Sequence, residues 1–329
     1  MATLRDVARE AGLNVSTVSR VLNNRGYISE EARARVDSAM KKLHYRPNEI
    51  ARSLRTQNSG LIGVIVPSVS NSYFSELVAG LMKNFDRAGY HTLLFDTDDN
   101  CYKFREYLHV CESYHVDAVV LMSNQIKMED RESLTFPIIS FERDRGWADA
   151  CVRCDNIGGG RKAAQHLIDI GCRRIVNLSW TPTPFLKDDL RAQGFAETAR
   201  KNHVECRIIS VTDGGNDSRT TREATEQALV KNRKADGIFT SSDIIASYVI
   251  KSASKLGISI PDDLCLVGFD DVPMAEMLTP SLTTIRQDIP AMTSEVVKLL
   301  SGLIAGEKSD KDIIVPVKLI IRGTTAVKR

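Results

Sequence analysis

Apolar residues recur at spacings of three and four through the first part of the chain, then gather beyond position 60 into short unbroken runs, so the architecture changes once. Leu4, Val7, Ala8 and Ala11 fall on one face of a helix expected over about 4–11, and Gly12 supplies a turn. Asn14 can cap a second helix in which Val18, Val21 and Leu22 point inward while Val15, Ser16, Ser19 and Arg20 stay outside. A third helix, capped by Ser29, brings Ala32, Val36, Ala39, Met40 and Leu43 to the same small core. Two short helices around a tight turn make a helix-turn-helix, whose second helix has the shape that enters a DNA major groove; an ordinary helical hairpin is the plainer alternative.

Pro47 ends the third register. Residues 48–55 then read as one short helical segment before the polar linker Thr56-Gln-Asn-Ser-Gly60. A helix of that length is unstable alone in water, so its order must come from something that holds it.

From Leu61 onward strands alternate with helices. Strands are expected at Leu61–Val66, Thr92–Asp96, Ala118–Met122 and Ile138–Phe141, then at Arg174–Leu178, Cys206–Ser210, Gly237–Thr240 and Leu264–Gly268. Helical patterns near 74–87, 102–114, 156–170, 191–202, 219–231 and 243–256 separate them. Continuous apolar strands with helical crossovers mean parallel sheets covered on both faces. The fold class is therefore an all-α head plus an α/β body of two doubly wound parallel-sheet lobes, resembling a periplasmic sugar-binding protein. The expected divisions are a head at 1–46, a hinge helix and linker at 47–59 and a body at 60–329. Lobe 1 takes about 60–158 and 291–320, lobe 2 about 159–290 and 321–329, with a helix over 290–302 and a strand over 313–319 crossing back to lobe 1.

Charge separates head from body. Residues 1–59 carry eleven basic and six acidic side chains, whereas the remainder carries 33 and 36. A basic head on a faintly acidic body suits a phosphate-binding module joined to something that does not bind nucleic acid.

Four motifs then carry a resemblance: Thr3-Leu-Arg-Asp-Val-Ala8, Val15-Ser-Thr-Val-Ser-Arg-Val-Leu-Asn23, Leu43-His-Tyr-Arg-Pro-Asn48 and Ala51-Arg-Ser-Leu54. In order and spacing they resemble the head of the lactose-repressor/galactose-repressor (LacI/GalR) family of bacterial transcription regulators. The resemblance implies a homodimer on a near-palindromic double-stranded operator. It implies a DNA-facing set of Thr3, Val15, Ser16, Thr17, Ser19, Arg20 and Asn23 in the head, with Leu54 and Arg55 in the hinge. Paired hinge helices in that family order in the minor groove and a leucine wedges between base pairs; Leu54 holds that place here, with packing on the head as its alternative.

In open parallel sheets ligands bind beyond the carboxyl ends of the strands. The residues there are Ser68, Ser70, Asn71, Ser72, Tyr73 and Phe74, then Glu142 and Arg143, Asp189 and Arg191, Ser242 and Asp243, and Asp270 and Asp271. Carboxylates that accept from vicinal hydroxyls, a guanidinium fork and an aromatic cover form a polyol-recognition set. Gly268-Phe-Asp-Asp271 followed by Thr279-Pro-Ser-Leu-Thr-Thr-Ile-Arg-Gln287 resembles the family's effector-lobe signature. The resemblance implies a small-molecule effector, a sugar or sugar derivative, held by Phe74, Glu142, Arg143, Arg191, Ser242, Asp243 and Asp270. Other readings stay open: Asp243 as a helix cap, Asp271 as a turn former, Glu142 and Arg143 as an exposed ion pair. One departure matters. Many family members place an aromatic wall after the strand that ends near Ser210, whereas Asp213-Gly-Gly-Asn-Asp217 has no ring, leaving Trp180 or Phe185 as substitutes.

Seven scattered cysteines favour reduced thiols, and the lone C-x-x-C of Cys151 and Cys154 reads as buried thiols rather than a metal or redox pair. Gly158-Gly-Gly-Arg161 reads as a place of close packing rather than an anion site. The nucleophile-elbow, zinc-protease and P-loop motifs are missing, so an enzyme is not expected, nor a cofactor. The apolar runs fall far short of a membrane span and the N-terminus lacks an apolar signal core, so a cytoplasmic protein is expected. No apolar heptads follow the body, so the expected assembly stops at a dimer. A phosphorylated phosphocarrier protein, the partner in the family's catabolite-control branch, is the alternative signal.

Overall fold

The structure is a computed structural model that describes residues 2–22, 26–45, 58–98, 100–122, 131, 134–142, 148–179, 189–211, 218–309 and 311–328. The chain separates into two compact units, residues 1–59 and 60–329.

In the head, α1 (Leu4–Ala11) begins with a reciprocal cap: Thr3 Oγ1 accepts from the Asp6 N–H while Asp6 Oδ2 accepts from the Thr3 N–H. Gly12 ends it at φ 63°, a conformation glycine adopts without penalty. Asn14 Oδ1 accepts from the Thr17 N–H and starts α2 (Val15–Leu22); Ser29 caps α3 (Glu30–Lys42). Val7, Ala8, Ala11, Val18, Val21, Val36 and Ala39 form the core these helices share. Arg35 of α3 donates to the carbonyls of Ala11 and Gly12, tying the third helix to the turn. All three expected helices are present, and the expected inward residues pack together except Ala32, which is half-buried outside the shared core.

The body contains two six-stranded sheets. Its first lobe runs through β1 (Leu61–Val66), α4 (Ser72–Arg87), β2 (His91–Asp96), α5 (Cys101–Ser113), β3 (Ala118–Leu121), β4 (Ile138–Phe141) and β5 (Ala150–Cys154). The second runs through α6 (Asn156–Asp169), β6 (Arg174–Ser179), α7 (Leu190–Lys201), β7 (Glu205–Ser210), α8 (Ser218–Lys231), β8 (Gly237–Thr240), α9 (Asp243–Lys255), β9 (Cys265–Asp270), α10 (Met274–Met277) and β10 (Thr283–Arg286). Helix α11 (Ile289–Ile304) then leads to β11 (Asp312–Val315), and β12 (Lys318–Ile320) follows. The strand orders are β11-β5-β4-β3-β1-β2 and β12-β10-β9-β8-β6-β7, parallel except for the antiparallel pair β10 and β12.

The strand expected over 313–319 in lobe 1 is corrected here: it is two strands, one in each sheet. Pro316 lies between them and has no N–H for a ladder, so one strand cannot continue through it. The chain thus changes lobes after β5, after β10 and after β11. Strands β5 and β10 also escape the hydrophobic pattern, because Ala150-Cys-Val-Arg-Cys154 and Thr283-Thr-Ile-Arg286 mix small and polar residues that are nevertheless mostly buried.

Helices α6 and α7 cross with almost no space between their backbones. A Cβ on Gly160 would lie 2.0 Å from the Arg191 carbonyl oxygen, and one on Gly194 2.1 Å from that of Ile157. Phe195 of α7 stacks on Phe239 of β8 with ring centroids 5.3 Å apart. The glycine run is a packing device, and it places the first turn of α7 against the first turn of α6.

Candidate functional site

The body brings side chains from both lobes around Arg191, the second residue of α7. Its Nε donates to Asn156 Oδ1 at 2.7 Å and its Nη1 to the Ser241 carbonyl, and its guanidinium carbon lies 3.6 Å over the Phe269 ring. From lobe 1, Glu142 reaches to 3.7 Å of Arg191 Nη2; from lobe 2, Asp270 reaches to 3.6 Å of Nη1. The three side chains are 6–15% exposed, so these are nearly dehydrated charges rather than a surface pair.

Each carboxylate is fixed by its own strand end. Glu142 follows β4 at φ 58°, and its Oε1 accepts from the Cys154 N–H at 2.5 Å. Asp270 ends β9 at φ 114°, and its Oδ1 accepts from Gln287 Nε2 at 2.8 Å. Gln287 in turn accepts from the Tyr73 hydroxyl at 2.8 Å, which joins α4 of lobe 1 to the crossing after β10. Among the described residues, the Ser241 Oγ is buried without a hydrogen-bond partner.

Burial dominates the titration of this cluster. It pushes the Asp270 carboxyl up to about 7 against the opposing pull of Arg191 and Gln287. It also raises the Tyr73 hydroxyl and the Cys154 thiol well above their usual values, and Glu142 reinforces both shifts. Burial alone would weaken the hold of Arg191 on its proton, but Asp270, Cys154 and Glu142 outweigh it and the pKa rises. A folded-state pKa above the unfolded one means that Asp270 favours the fold fully below its ordinary value of 3.8, and that this contribution is lost as pH climbs through about 7. Asp270→Asn should therefore flatten the stability profile between pH 4 and 7, removing at most about 4 kcal/mol of pH dependence. Urea midpoints of both proteins across that range check this.

The expected ligand set is only partly assembled here. Arg191, Asp270 and Glu142 converge. Phe74 is half-buried on the body core, and the neighbouring Tyr73 brings its hydroxyl to the cluster instead. Ser242 Oγ accepts from the Ile245 N–H and caps α9. Asp243 is fully buried, its oxygens accepting from Thr284 Oγ1 and the Val272 N–H, which leaves it no free face for a ligand. Asp271 is likewise bound internally, by Arg286 and Arg322. Arg143, Trp180, Phe185 and the Asp213–Asp217 loop lie outside the described residues. Sequence reasoning missed Asn156 and Gln287 as site residues, since each lies at a crossing between lobes whose position no local pattern reveals. Gln287 does close the effector-lobe motif, the one signal that pointed to it.

The head presents a separate face. Val15, Ser16 and Arg20 are exposed on α2, with Thr17 and Ser19 half-buried. Asn14 accepts from the Ser16 hydroxyl, and the Thr3 hydroxyl is engaged with Asp6 in the cap of α1. Asn23, Leu54 and Arg55 lie outside the described residues. Among the described residues no cluster of His, Cys, Asp and Glu suits a metal ion, and no helix is long and apolar enough to cross a membrane.

The profile of bacterial regulatory proteins of the lacI family matches residues 3–48, and that of periplasmic binding protein-like domains matches residues 164–325. The ribose operon repressor of Halalkalibacterium halodurans is 36% identical over 328 residues, covering 99% of this chain and 97% of that protein. The sucrose operon repressor of Streptococcus mutans is 35% identical, covering 97% and 98%. Among solved structures, a periplasmic binding protein/LacI transcriptional regulator from Alkaliphilus metalliredigens complexed with D-xylulofuranose is 33% identical. It superposes with a TM-score of 0.73 over 81% of this chain and 99% of that one.

Proposed function

The chain belongs to the LacI family of bacterial regulatory proteins, DNA-binding transcriptional repressors rather than enzymes, and we propose that its operator affinity is set by a sugar bound between the lobes at Arg191. The observation that carries this reading is Arg191 itself, facing Glu142 of one lobe and Asp270 of the other. A ligand there donates hydroxyls to both carboxylates and so acts on the angle between lobes. Ionised carboxylates accept from hydroxyls, Tyr73 and Gln287 can each donate or accept, and the unpartnered Ser241 hydroxyl supports a polar guest. Sugars of different size are named for the relatives, a ribose and a sucrose repressor, so the class of effector is better supported than its identity.

The protein acts as a homodimer in the cytoplasm, on a near-palindromic operator read by Val15, Ser16 and Arg20. Arg20 can donate a fork to guanine and Val15 can pack on a thymine methyl, each worth about 1–3 kcal/mol of discrimination. Arg20→Ala should flatten base preference at one symmetric pair of positions, visible in selection from random DNA; an unchanged profile removes Arg20 from the reading role. Leu54 remains the proposed wedge between base pairs.

The test uses operator DNA obtained by such selection with the full-length protein, titrated with D-ribose, sucrose, guanine and a phosphorylated phosphocarrier protein. A sugar should shift operator affinity about 5- to 150-fold. A shift produced only by the phosphoprotein would move the sensing role away from the cleft.

A further inference from the structure

Asp270 and Asp271 stand consecutively at φ 114° and 60°. Two adjacent non-glycine residues in that region persist only where their surroundings over-determine them. On the far side of the turn, the Val272 N–H donates to Asp243 Oδ2 at 3.0 Å, and Thr284 Oγ1 donates to Asp243 Oδ1 at 2.6 Å. In the middle, the Asp271 carboxylate is 4% exposed, accepting from Arg322 Nη1 at 2.6 Å and from Arg286 Nε at 2.5 Å. Arg286 is half in solvent, where an ion pair holds little. Arg322 is 11% exposed and makes two further bonds: Nη1 also donates to the Leu282 carbonyl at 2.9 Å, and Nη2 to Glu276 at 3.0 Å.

Arg322 also has a definite place along the chain. It stands two residues beyond β12, the strand by which the chain enters lobe 2 for the last time. Its N–H donates to Thr283 Oγ1 at 2.8 Å, and that hydroxyl donates back to its carbonyl at 3.2 Å. The end of the last crossing is thus bonded to the strand beside β9 and, through Asp271, to the turn that aims Asp270.

We propose that Arg322 and Asp271 form a positioning clamp that sets the direction of Asp270 in the ligand cleft, so that movement at the last inter-lobe crossing and ligand recognition act through the same bonds. The proposal rests on the cleft reading above for its consequence, but its geometry can be tested without any ligand.

The experiment is carbon-detected titration of the Asp270 carboxyl in the full-length protein, for wild type, Arg322→Met, Arg322→Lys and Asp271→Asn. The groups that face Asp270 are Gln287, which donates to it, and the titratable Arg191, Glu142, Tyr73, Cys154 and Asp243. Leaving them for solvent would return the carboxyl from about 7 toward about 4. Arg322→Met should produce that return while the protein still unfolds cooperatively; Arg322→Lys, which keeps the charge, should restore much of the wild-type titration. If Arg322→Met does not fold, Asp271→Asn gives the same reading, because it weakens both arginine bonds without adding bulk. An Asp270 titration unchanged in Arg322→Met and Asp271→Asn overturns the clamp. Binding of D-ribose and sucrose is measured beside it. Wild-type protein that binds neither, while the variants still shift Asp270, leaves the clamp standing and removes the sugar reading; a sugar bound equally by all four proteins overturns the recognition half of the proposal.

Discussion

Gly194→Val should unfold the body or cost it at least about 3 kcal/mol, the upper end of what overpacking a core usually does. The side chain would be built into the crossing of α6 and α7, where even a Cβ meets the Ile157 carbonyl oxygen at 2.1 Å. Both partners are backbone, so no rotamer change relieves the clash, and the helices must separate. Separation breaks the stack of Phe195 on Phe239 and the bond from Arg191 to Asn156, so the same change also dismantles the proposed ligand site. Native proteins hold only about 5–15 kcal/mol in total, so the loss should be visible as a large fall in urea midpoint and in yield. A variant within about 0.5 kcal/mol of wild type, the range of surface substitutions, would mean that the crossing is looser than it looks.

Arg191→Met and Asp270→Asn should both weaken the response to sugar, yet differ sharply in stability. The methionine removes the one cation that, among the described residues, pairs with both Glu142 and Asp270, and leaves two dehydrated carboxylates beside each other. Breaking a buried pair in this way costs about 3–5 kcal/mol. The asparagine keeps an oxygen for Gln287 and nearly the same volume, so at pH 8 the fold should lose little or nothing. It does lose the charge that strengthens a hydroxyl bond, worth about 1.5–3 kcal/mol, or roughly 10- to 150-fold in sugar affinity. Calorimetric titration with sugar and urea midpoints at pH 8 separate the two effects. Equal sugar affinity in wild type and Asp270→Asn would exclude Asp270 from the contact.

How much of this could be read from the chain depends on whether the information was local. The head was legible almost to the residue, because Asn14 and Ser29 are caps and Val7, Val18 and Val36 keep a helical period, although the cap at Thr3 emerged only in the fold. Most body strands were legible as apolar runs between helices. Strand β12 was not, since three residues beyond Pro316 carry no period and its partner β10 lies more than thirty residues earlier. In the site, Arg191 and Asp270 followed from their positions at strand and helix ends. Asp243 holds an equivalent position but turns inward, because Thr284 and the Val272 amide supply the donors that bury it. Tyr73 and Phe74 are indistinguishable as neighbouring aromatics, and only the fold shows that Tyr73 reaches Gln287. Which residues line the cleft is a property of how two sheets face each other, and that is carried by three crossings rather than by any one segment.

A sugar held by Asp270 and Arg191 should govern the grip of the head on DNA. The most direct measurement is the affinity of the full-length protein for its selected operator, with and without D-ribose or sucrose, in wild type and Asp270→Asn at pH 8. Wild type should change its operator affinity at least fivefold with one of the sugars, and Asp270→Asn should bind operator as wild type does without sugar but ignore that sugar at the concentration that half-saturates wild type. An operator affinity that neither sugar alters in wild type, or a variant that responds at the wild-type concentration, would show that sugar binding at Asp270 does not control the head.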